Sequence, residues 1–220
     1  TLVLPYLRRR LKLSGIIASR VIHTSGAGES WIDERILDLE QLANPTVGLS
    51  AHPGQVDVRI TVRAEGDTAA RRELDRIETE VRRRLMDAVY GAGDTTLARA
   101  ALDALARRGW RLTTLESGTD GALLALLGDG GPAFVSGQLL PSTLDEAAFL
   151  DELGRTRSAL GAEVALGLHL RTALDAVRAC VSVQTPDSDL QRQFSYGGPP
   201  ANAPLWAANM ALDLLRRSLA

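Results

Sequence analysis

The chain has 220 residues, of which 45% are hydrophobic and 24% are charged, and its formal net charge is -2. This length predicts one or two domains with a buried core, and the near-neutral charge gives no bulk electrostatic reason to expect nucleic acid or an anionic membrane as a partner. The single cysteine, Cys180, excludes an internal disulfide and fits a reducing compartment. No apolar run approaches the ~18 residues of a spanning helix, so we expect a cytoplasmic protein with no membrane contact.

Residues 14–88 are predicted to form a small α+β domain with the order βαββα. Gly26-Ala27-Gly28 ends the first strand, and Ser30 is the candidate N-cap of the first helix. The last two strands flank the turn-forming tripeptide His52-Pro53-Gly54, and the second of them alternates apolar and polar residues. The predicted elements are a strand at 16–24, a helix at 31–42, strands at 46–51 and 55–64, and a helix at 67–88.

Residues 89–220 are predicted to form a second, layered α/β domain, because helices and strands alternate along them. The boundary falls at the glycine-rich segment 90–94, where Asp94 is a candidate N-cap. The predicted elements are a helix at 95–108, a strand at 110–115, a helix ending at 127, a strand at 133–140, a helix at 144–153, strands at 164–170, 176–183 and 190–196, and a helix at 203–219.

The hexapeptide at 116–121, Glu-Ser-Gly-Thr-Asp-Gly, carries the most specific chemical signal. It lies between two apolar runs, which predicts a strand, a tight turn and a helix start that display the Ser117 hydroxyl beside free backbone N–H groups. A serine becomes a nucleophile only when a base takes its proton, usually His or Lys. The only lysine is Lys12, and the nearest histidine in sequence is His169. The hexapeptide therefore predicts a nucleophile without an evident base.

Several segments together resemble one known family. They are Gly26-Ala27-Gly28-Glu29-Ser30, Asn44-Pro45-Thr46-Val47, Val58-Arg59-Ile60-Thr61, Val89-Tyr90-Gly91, Asp94-Thr95-Thr96-Leu97 and the hexapeptide at 116–121. In this order they resemble the CinA family of competence/damage-inducible proteins. The resemblance implies a KH-type middle domain at 14–88 and a C-terminal nicotinamide-nucleotide amidase-like domain at 89–220. It also implies an upstream molybdopterin-binding-like domain with ADP-ribose pyrophosphatase activity, so residues 1–13 are expected to be the tail of that domain or a linker.

The resemblance implies a serine amidase, yet the residues depart from its pattern. The family has Glu-Ser-Cys-Thr-Gly-Gly at the hexapeptide, which makes Ser117 and Thr119 the aligned catalytic-motif residues. Pro141 stands where the family has a tyrosine, and Glu146 stands where it has a lysine. A carboxylate cannot replace an ammonium group beside the serine. The Gly-rich family loop after the strand at 164–168 is missing, since His169-Leu170-Arg171-Thr172 continues instead.

Two functions follow from these departures. The first is a degenerate amidase domain that serves as a dimerisation scaffold for the upstream pyrophosphatase-type domain. The second is an active nicotinamide mononucleotide amidase that uses Ser117 with relocated partners. We interpret Thr119 as a helix-capping hydroxyl and Asp120 as a first-turn carboxylate that fills the anion site of the following helix. The late helix carries surplus apolar residues, which favours a homodimer: Leu205, Trp206, Met210, Leu214 and Leu215.

No metal, cofactor or nucleic acid is expected. His23, His52 and His169 are far apart and lack ligand spacing. Arginines cluster at 71–72, 82–84 and 107–108, but acids interleave with those of the long helix, which is typical of an ion-paired surface. Gly26-Ala27-Gly28 follows a strand, whereas the phosphate-clamping loop of a KH module lies between helices. Cys180 lies in an apolar strand and is predicted to be a buried small hydrophobe.

Overall fold

The computed structural model describes residues 15–128, 130–172 and 176–219. Contacts divide the chain into two compact units. The first contains the described residues up to Thr24 together with Gly28–Ala51 and Val56–Gly93, and the second contains Ser25–Ala27, His52–Gln55 and the described residues from Asp94 onward. The predicted tail at 1–13 lies outside the described residues. None of the described helices is long and apolar enough to cross a membrane.

The first unit is a four-stranded sheet with two helices. Its elements are β1 (Ile16–Ser25), α1 (Glu29–Glu40), β2 (Thr46–His52), β3 (Gln55–Ala64), α2 (Asp67–Leu85) and β4 (Val89–Ala92). The strand order is β2-β3-β1-β4, and β4 pairs antiparallel with β1. The alternation in β3 buries one face of the strand, and α1 and α2 contribute residues at helical spacing, which together form the core. The main core residues are Ile32, Ile36, Val56, Val58, Ile60, Val62, Leu74, Ile77, Val81 and Leu85.

The second unit is a layered α/β fold around a mixed five-stranded sheet. Its elements are α3 (Leu97–Arg108), β5 (Leu112–Ser117), α4 (Ala122–Leu127), β6 (Phe134–Leu140), α5 (Glu146–Leu160), β7 (Val164–Thr172), β8 (Val177–Gln184), β9 (Asp189–Tyr196) and α6 (Ala203–Ser218). The strand order is β6-β5-β7-β8-β9. Strands β6, β5 and β7 are parallel, while β8 and β9 run antiparallel to their neighbours.

Strand β5 lies inside this sheet, and all six of its residues are buried. Successive strand residues point to opposite faces. Leu115 packs with Phe149 and Leu153 of α5 on one face, whereas Glu116 bonds to the start of α4 on the other. Helix α6 packs on β7 and β8 and contacts α3 and α4. The α/β class and the two-domain organisation of the fold prediction therefore match the described architecture.

The helix starts and the domain boundary differ from the predictions. Helix α1 begins after Gly28, so the predicted cap at Ser30 is wrong. The side chain of Thr96, not Asp94, caps α3 by accepting the N–H of Arg99. The sequence predicts a second domain that begins at Val89, but the first unit continues to Gly93. The reason is that β4 adds to the first sheet by pairing with β1, a long-range contact that no local pattern encodes.

Candidate functional site

Ser117 is the last residue of β5, which continues two residues beyond the predicted strand at 110–115, and its side chain is not displayed. The residue is 0% exposed. Its hydroxyl donates to the carbonyl of Pro141, with Oγ and O 3.0 Å apart. A hydroxyl that donates to a backbone carbonyl has no base to receive its proton, because an amide oxygen is far too weakly basic. The expectation of an exposed serine hydroxyl is therefore wrong.

Glu116 occupies the backbone N–H groups that the hexapeptide predicts to be free. Its carboxylate accepts the N–H of Leu123 at 3.0 Å and the N–H of Leu124 at 2.9 Å, and it accepts the Thr119 hydroxyl at 2.5 Å. Glu116 is fully buried, and these three bonds satisfy its charge. Since an internal anion fills the start of α4, this position does not receive an external one.

The turn between Ser117 and α4 corrects two further expectations. Thr119 is buried and donates to Glu116 instead of capping a backbone N–H. Asp120 is exposed and lies before the N-cap residue Gly121, so it is not a first-turn carboxylate. Gly118 has φ +75°, and a Cβ there would lie 2.1 Å from the Leu170 carbonyl oxygen. Only glycine fits this close approach.

The two positions that hold Pro141 and Glu146 in place of the family's tyrosine and lysine have different surroundings. Pro141 supplies the carbonyl that Ser117 bonds. Glu146 is the first residue of α5. Its carboxylate accepts hydrogen bonds from the side-chain amides of Gln191 and Gln193, with N–O distances of 2.8 Å and 3.0 Å. The Cys180 thiol lies 3.5 Å from the same carboxylate. Glu146 is thus a hydrogen-bonded anion in the place where the resemblance implies a cation.

His169 is the residue that sequence reasoning missed. Ser117 and His169 are register partners across the parallel pair β5 and β7, so their side chains emerge on the same face. The imidazole is 1% exposed and stacks on Phe149 with centroids 5.1 Å apart. Neither ring nitrogen has a hydrogen-bond partner among the described residues. The proximity of His169 to Ser117 could be found only from the pairing of the two buried strands β5 and β7, because the two residues are far apart in sequence.

Burial lowers the pKa of His169, and the positive charge of Arg171 lowers it further. The pKa is raised by Glu146, by the Leu144 carbonyl and by Asp145, but these three effects together are smaller than the lowering. The Leu144 carbonyl is close enough to raise the pKa of the ring, but its position does not satisfy the distance and angle of a hydrogen bond. His169 is therefore a neutral, buried imidazole with two unused nitrogens.

A cavity of about 510 Å³ lies over the ends of β7, β8 and β9. It is lined by polar residues from four elements: Glu146, His169, Arg171, Arg178, Cys180 and Gln193. Ser117 is not among the lining residues. Burial raises the pKa of the Cys180 thiol to about 11, and the adjacent Glu146 acts in the same direction. Cys180 is accordingly a protonated, buried thiol, which agrees with the prediction of a small buried residue.

Two other predicted features, the ion-paired arginines of α2 and His23, lie in the first unit. The acids of α2 do pair with its arginines, including Glu78 with Arg82 and Glu80 with Arg83. His23 lies between Asp57 and the Gly93 carbonyl. Within the described part of the chain, no group of three His, Cys, Asp or Glu side chains is arranged to hold a metal ion.

Comparison with known proteins identifies relatives of both units. Residues 19–91 match the family model described as the damage-inducible protein CinA KH domain. A CinA-like protein from Thermomicrobium roseum is 35% identical over 225 residues, covering 93% of this chain and 55% of that protein. A CinA-like protein from Dictyoglomus thermophilum is 28% identical and covers 100% of this chain and 60% of that protein. The chain thus spans little more than half the length of these relatives.

One solved structure, a competence or damage-inducible protein from Enterobacter asburiae, shares 17% identity with this chain. The match covers 58% of this chain and 100% of that one, with a TM-score of 0.49.

Proposed function

Because the chain belongs to the CinA family, we propose that its second unit is a degenerate nicotinamide mononucleotide amidase domain without catalytic activity. In this proposal the unit is a dimerisation scaffold that positions an upstream domain of the ADP-ribose pyrophosphatase type. The proposal rests on the departures from the family pattern together with the geometry around Ser117.

The observation that carries the proposal is the state of the Ser117 hydroxyl. It is fully buried and donates to the carbonyl of Pro141. General-base assistance contributes about 10²–10⁴-fold to such reactions, and here the proton faces an oxygen that cannot act as a base. A substrate carbonyl also has no access to a side chain with no exposed surface.

Two features of the same turn and the charge at position 146 also support the proposal. The carboxylate of Glu116 occupies the N–H groups of Leu123 and Leu124. Gly118, which replaces the family's cysteine, adopts a positive φ against the carbonyl of Leu170. Glu146 places a negative charge where the resemblance implies an ammonium group. The bonds of Glu116 stabilise the turn, Gly118 fits it against β7, and none of the three residues supplies a base for Ser117.

The dimer part of the proposal rests on apolar side chains of α6 and on the exposed residues of edge strand β6. Leu215 is buried in its own unit and is not available for a partner, whereas Leu205 is 40% exposed. Val135 and Leu139 on β6 are also partly exposed. We expect light scattering in the tens-of-micromolar range to give twice the chain mass. A mass equal to one chain would contradict the dimer.

The amidase question is tested by ammonia release from nicotinamide mononucleotide, with Ser117→Ala as the matched variant. We expect both proteins to remain at the background rate. Release that exceeds background in the parent chain and disappears in Ser117→Ala would contradict the non-catalytic proposal.

One observation favours the second candidate function, an active amidase with a relocated base. His169 is the register partner of Ser117 and has two nitrogens without hydrogen bonds in the described structure. In this function the Ser117 hydroxyl would have to release the Pro141 carbonyl and donate its proton to this imidazole. If ammonia release is found, His169→Gln should abolish it as fully as Ser117→Ala does.

A further inference from the structure

Strand β4 is a short edge strand whose pairing is irregular. It contains four residues, Val89–Ala92, and it lies at the end of the strand order, next to β1. Its register with β1 shifts between His23 and Thr24, so that Tyr90 has no register partner on β1. A bulge of this kind interrupts the ladder of backbone hydrogen bonds, and an edge strand is paired on one side only. The ladder alone therefore holds β4 weakly.

Gly93, the residue after β4, is held through both its N–H and its carbonyl. The N–H donates to the carbonyl of Val21 on β1, with N and O 3.1 Å apart. The carbonyl oxygen lies 2.7 Å from Nε2 of His23, whose Nδ1 lies 2.7 Å from Oδ1 of Asp57 on β3. The half-buried imidazole thus links β3 to the residue with which the first unit ends.

Both groups that the His23 ring contacts through its nitrogens are hydrogen-bond acceptors. A carboxylate and a backbone carbonyl donate nothing, whereas a neutral imidazole has one N–H and an imidazolium has two. The two short contacts of His23 are therefore both hydrogen bonds only when the ring is an imidazolium. The ring of Tyr90 stacks on it, with centroids 5.6 Å apart, and an aromatic face favours a cation at this distance.

We propose that His23 is a pH-operated latch on the end of β4, in which the imidazolium holds Gly93 and the neutral ring releases it. The neutral ring keeps its proton on Nδ1, because a hydrogen bond to a carboxylate is stronger than one to a backbone carbonyl. Nε2 then presents a lone pair to the Gly93 oxygen at 2.7 Å. Two acceptors repel each other at this distance, so the carbonyl moves away and the end of β4 becomes mobile.

The groups that face the ring determine the pH at which the latch opens. They are the carboxylate of Asp57 on β3, the ring of Tyr90 on β4 and the Gly93 carbonyl. Burial lowers the pKa of His23, but the bonds to Asp57 and Gly93 and the charge of Asp57 outweigh burial and raise it. The latch is therefore closed at and below the ordinary histidine value of about 6.5 and opens as the pH rises through the raised value.

Opening of the latch lengthens the segment between β4 and α3. In the closed form this segment is 94–96, which joins Gly93 to the first residue of α3, Leu97. After release it also includes Gly93 and the end of β4. Local opening requires little free energy where few backbone bonds and few buried side chains are lost, and all four residues of β4 are only partly buried. The latch does not involve the Ser117 turn, so it operates whether or not the second unit is catalytic.

NMR of the whole isotope-labelled chain as a function of pH tests the latch. The chemical shifts of the two ring nitrogens give the pH at which His23 titrates and the tautomer of its neutral form, which we expect to carry the proton on Nδ1. Across that titration the backbone order parameter of Gly93 should fall from about 0.85, a rigid value, to below about 0.6. Val58 and Ile60, which are core residues of β3, should remain rigid throughout.

Two variants of β3 separate the latch from a general effect of surface charge. Asp57→Asn should move both the ring titration and the loss of order at Gly93 to lower pH, because it removes the charge that favours the imidazolium. Arg59→Gln is the matched control, since Arg59 is the next residue on the same face of β3 and is exposed, and it should titrate close to the parent. In His23→Gln the order of Gly93 should not depend on pH. A neutral ring protonated on Nε2, constant order at Gly93 through the titration, or equal shifts in Asp57→Asn and Arg59→Gln would each overturn the proposal.

Discussion

Ser117 and His169 occupy the same position along adjacent parallel strands, yet they do not bond each other. The hydroxyl of Ser117 donates to the carbonyl of Pro141 at the end of β6, and the imidazole of His169 stacks on Phe149 of α5. Two groups that resemble part of a nucleophile and base pair are therefore used for different contacts.

Ser117→Ala should lower the free energy of unfolding by about 0.5–1.5 kcal/mol, because it removes the hydrogen bond that the buried Ser117 hydroxyl donates to Pro141 and leaves the Pro141 carbonyl with the N–H of Leu144. Urea denaturation of the two proteins measures the difference. Ser158→Ala is the control, since the Ser158 hydroxyl bonds the Gly154 carbonyl on the exposed surface of α5, and its effect should stay within about 0.5 kcal/mol. Equal effects for the two variants would contradict a structural role for Ser117.

Glu116→Gln should be more damaging, at about 2 kcal/mol or more. The amide has one acceptor oxygen in place of two, so at least one of the groups now bonded to Glu116 loses its partner. It also buries an N–H₂ group beside the N–H groups of α4. The thermal midpoint should fall clearly below that of Glu152→Gln, a control on α5 whose carboxylate pairs with Arg155 at the surface. A midpoint equal to that of the control would argue against the internal-anion role.

Gly118→Ala separates backbone strain from a steric clash. Gly121→Ala is the comparison, because Gly121 has φ +82° and a methyl group there would have no other atom within 4 Å, whereas Gly118 has φ +75° and a carbonyl oxygen at 2.1 Å. Gly121→Ala should cost only the left-handed conformation, about 1–2 kcal/mol. Gly118→Ala should cost this amount plus the displacement of β7. Similar unfolding free energies for the two variants would show that β7 moves away from the new methyl group with no measurable loss of stability.

His23 should make stability depend on pH. Its Nδ1 lies 2.7 Å from Oδ1 of Asp57, and its Nε2 lies 2.7 Å from the Gly93 carbonyl oxygen. Burial alone lowers the pKa of His23, but the bonds to Asp57 and to Gly93 outweigh burial and raise it. A raised pKa gives stability that is complete below the unfolded value of about 6.5 and is lost as the pH rises through the folded value.

We therefore expect the free energy of unfolding to decline above about pH 6.5 and His23→Gln to flatten this decline. The measured quantity is the difference between parent and variant at each pH, because the lowered pKa of His169 acts in the opposite sense as the pH falls. Parallel curves for the two proteins would contradict the role of His23.

Local patterns in the sequence are sufficient for most of the elements. The strict alternation of β3 and the helical spacing of Leu74, Ile77 and Val81 are short-range signals, and both lead to the described elements. The alternation of β5 also separates Glu116 from Ser117, as the described contacts do. These features follow from the periods of strands and helices alone.

The site is less accessible to sequence reasoning because it depends on pairing between distant segments. His169 is adjacent to Ser117 only because β7 pairs with β5 in one particular register. Arg171 and Arg178 face each other for the same reason. The local pattern indicates only that Glu116 is a strand residue, since nothing nearby shows that its carboxylate bonds a helix several residues later. The register between paired strands and the exact ends of helices are therefore the features that could not be predicted from this sequence.

The close approach of Gly118 to the Leu170 carbonyl couples the turn to the neighbouring strand. A cysteine at position 118, as in the family pattern, would place its Cβ 2.1 Å from a backbone oxygen. Strand β7 would have to shift to admit it. Changes at position 118 and in β7 should therefore be non-additive in their effect on stability.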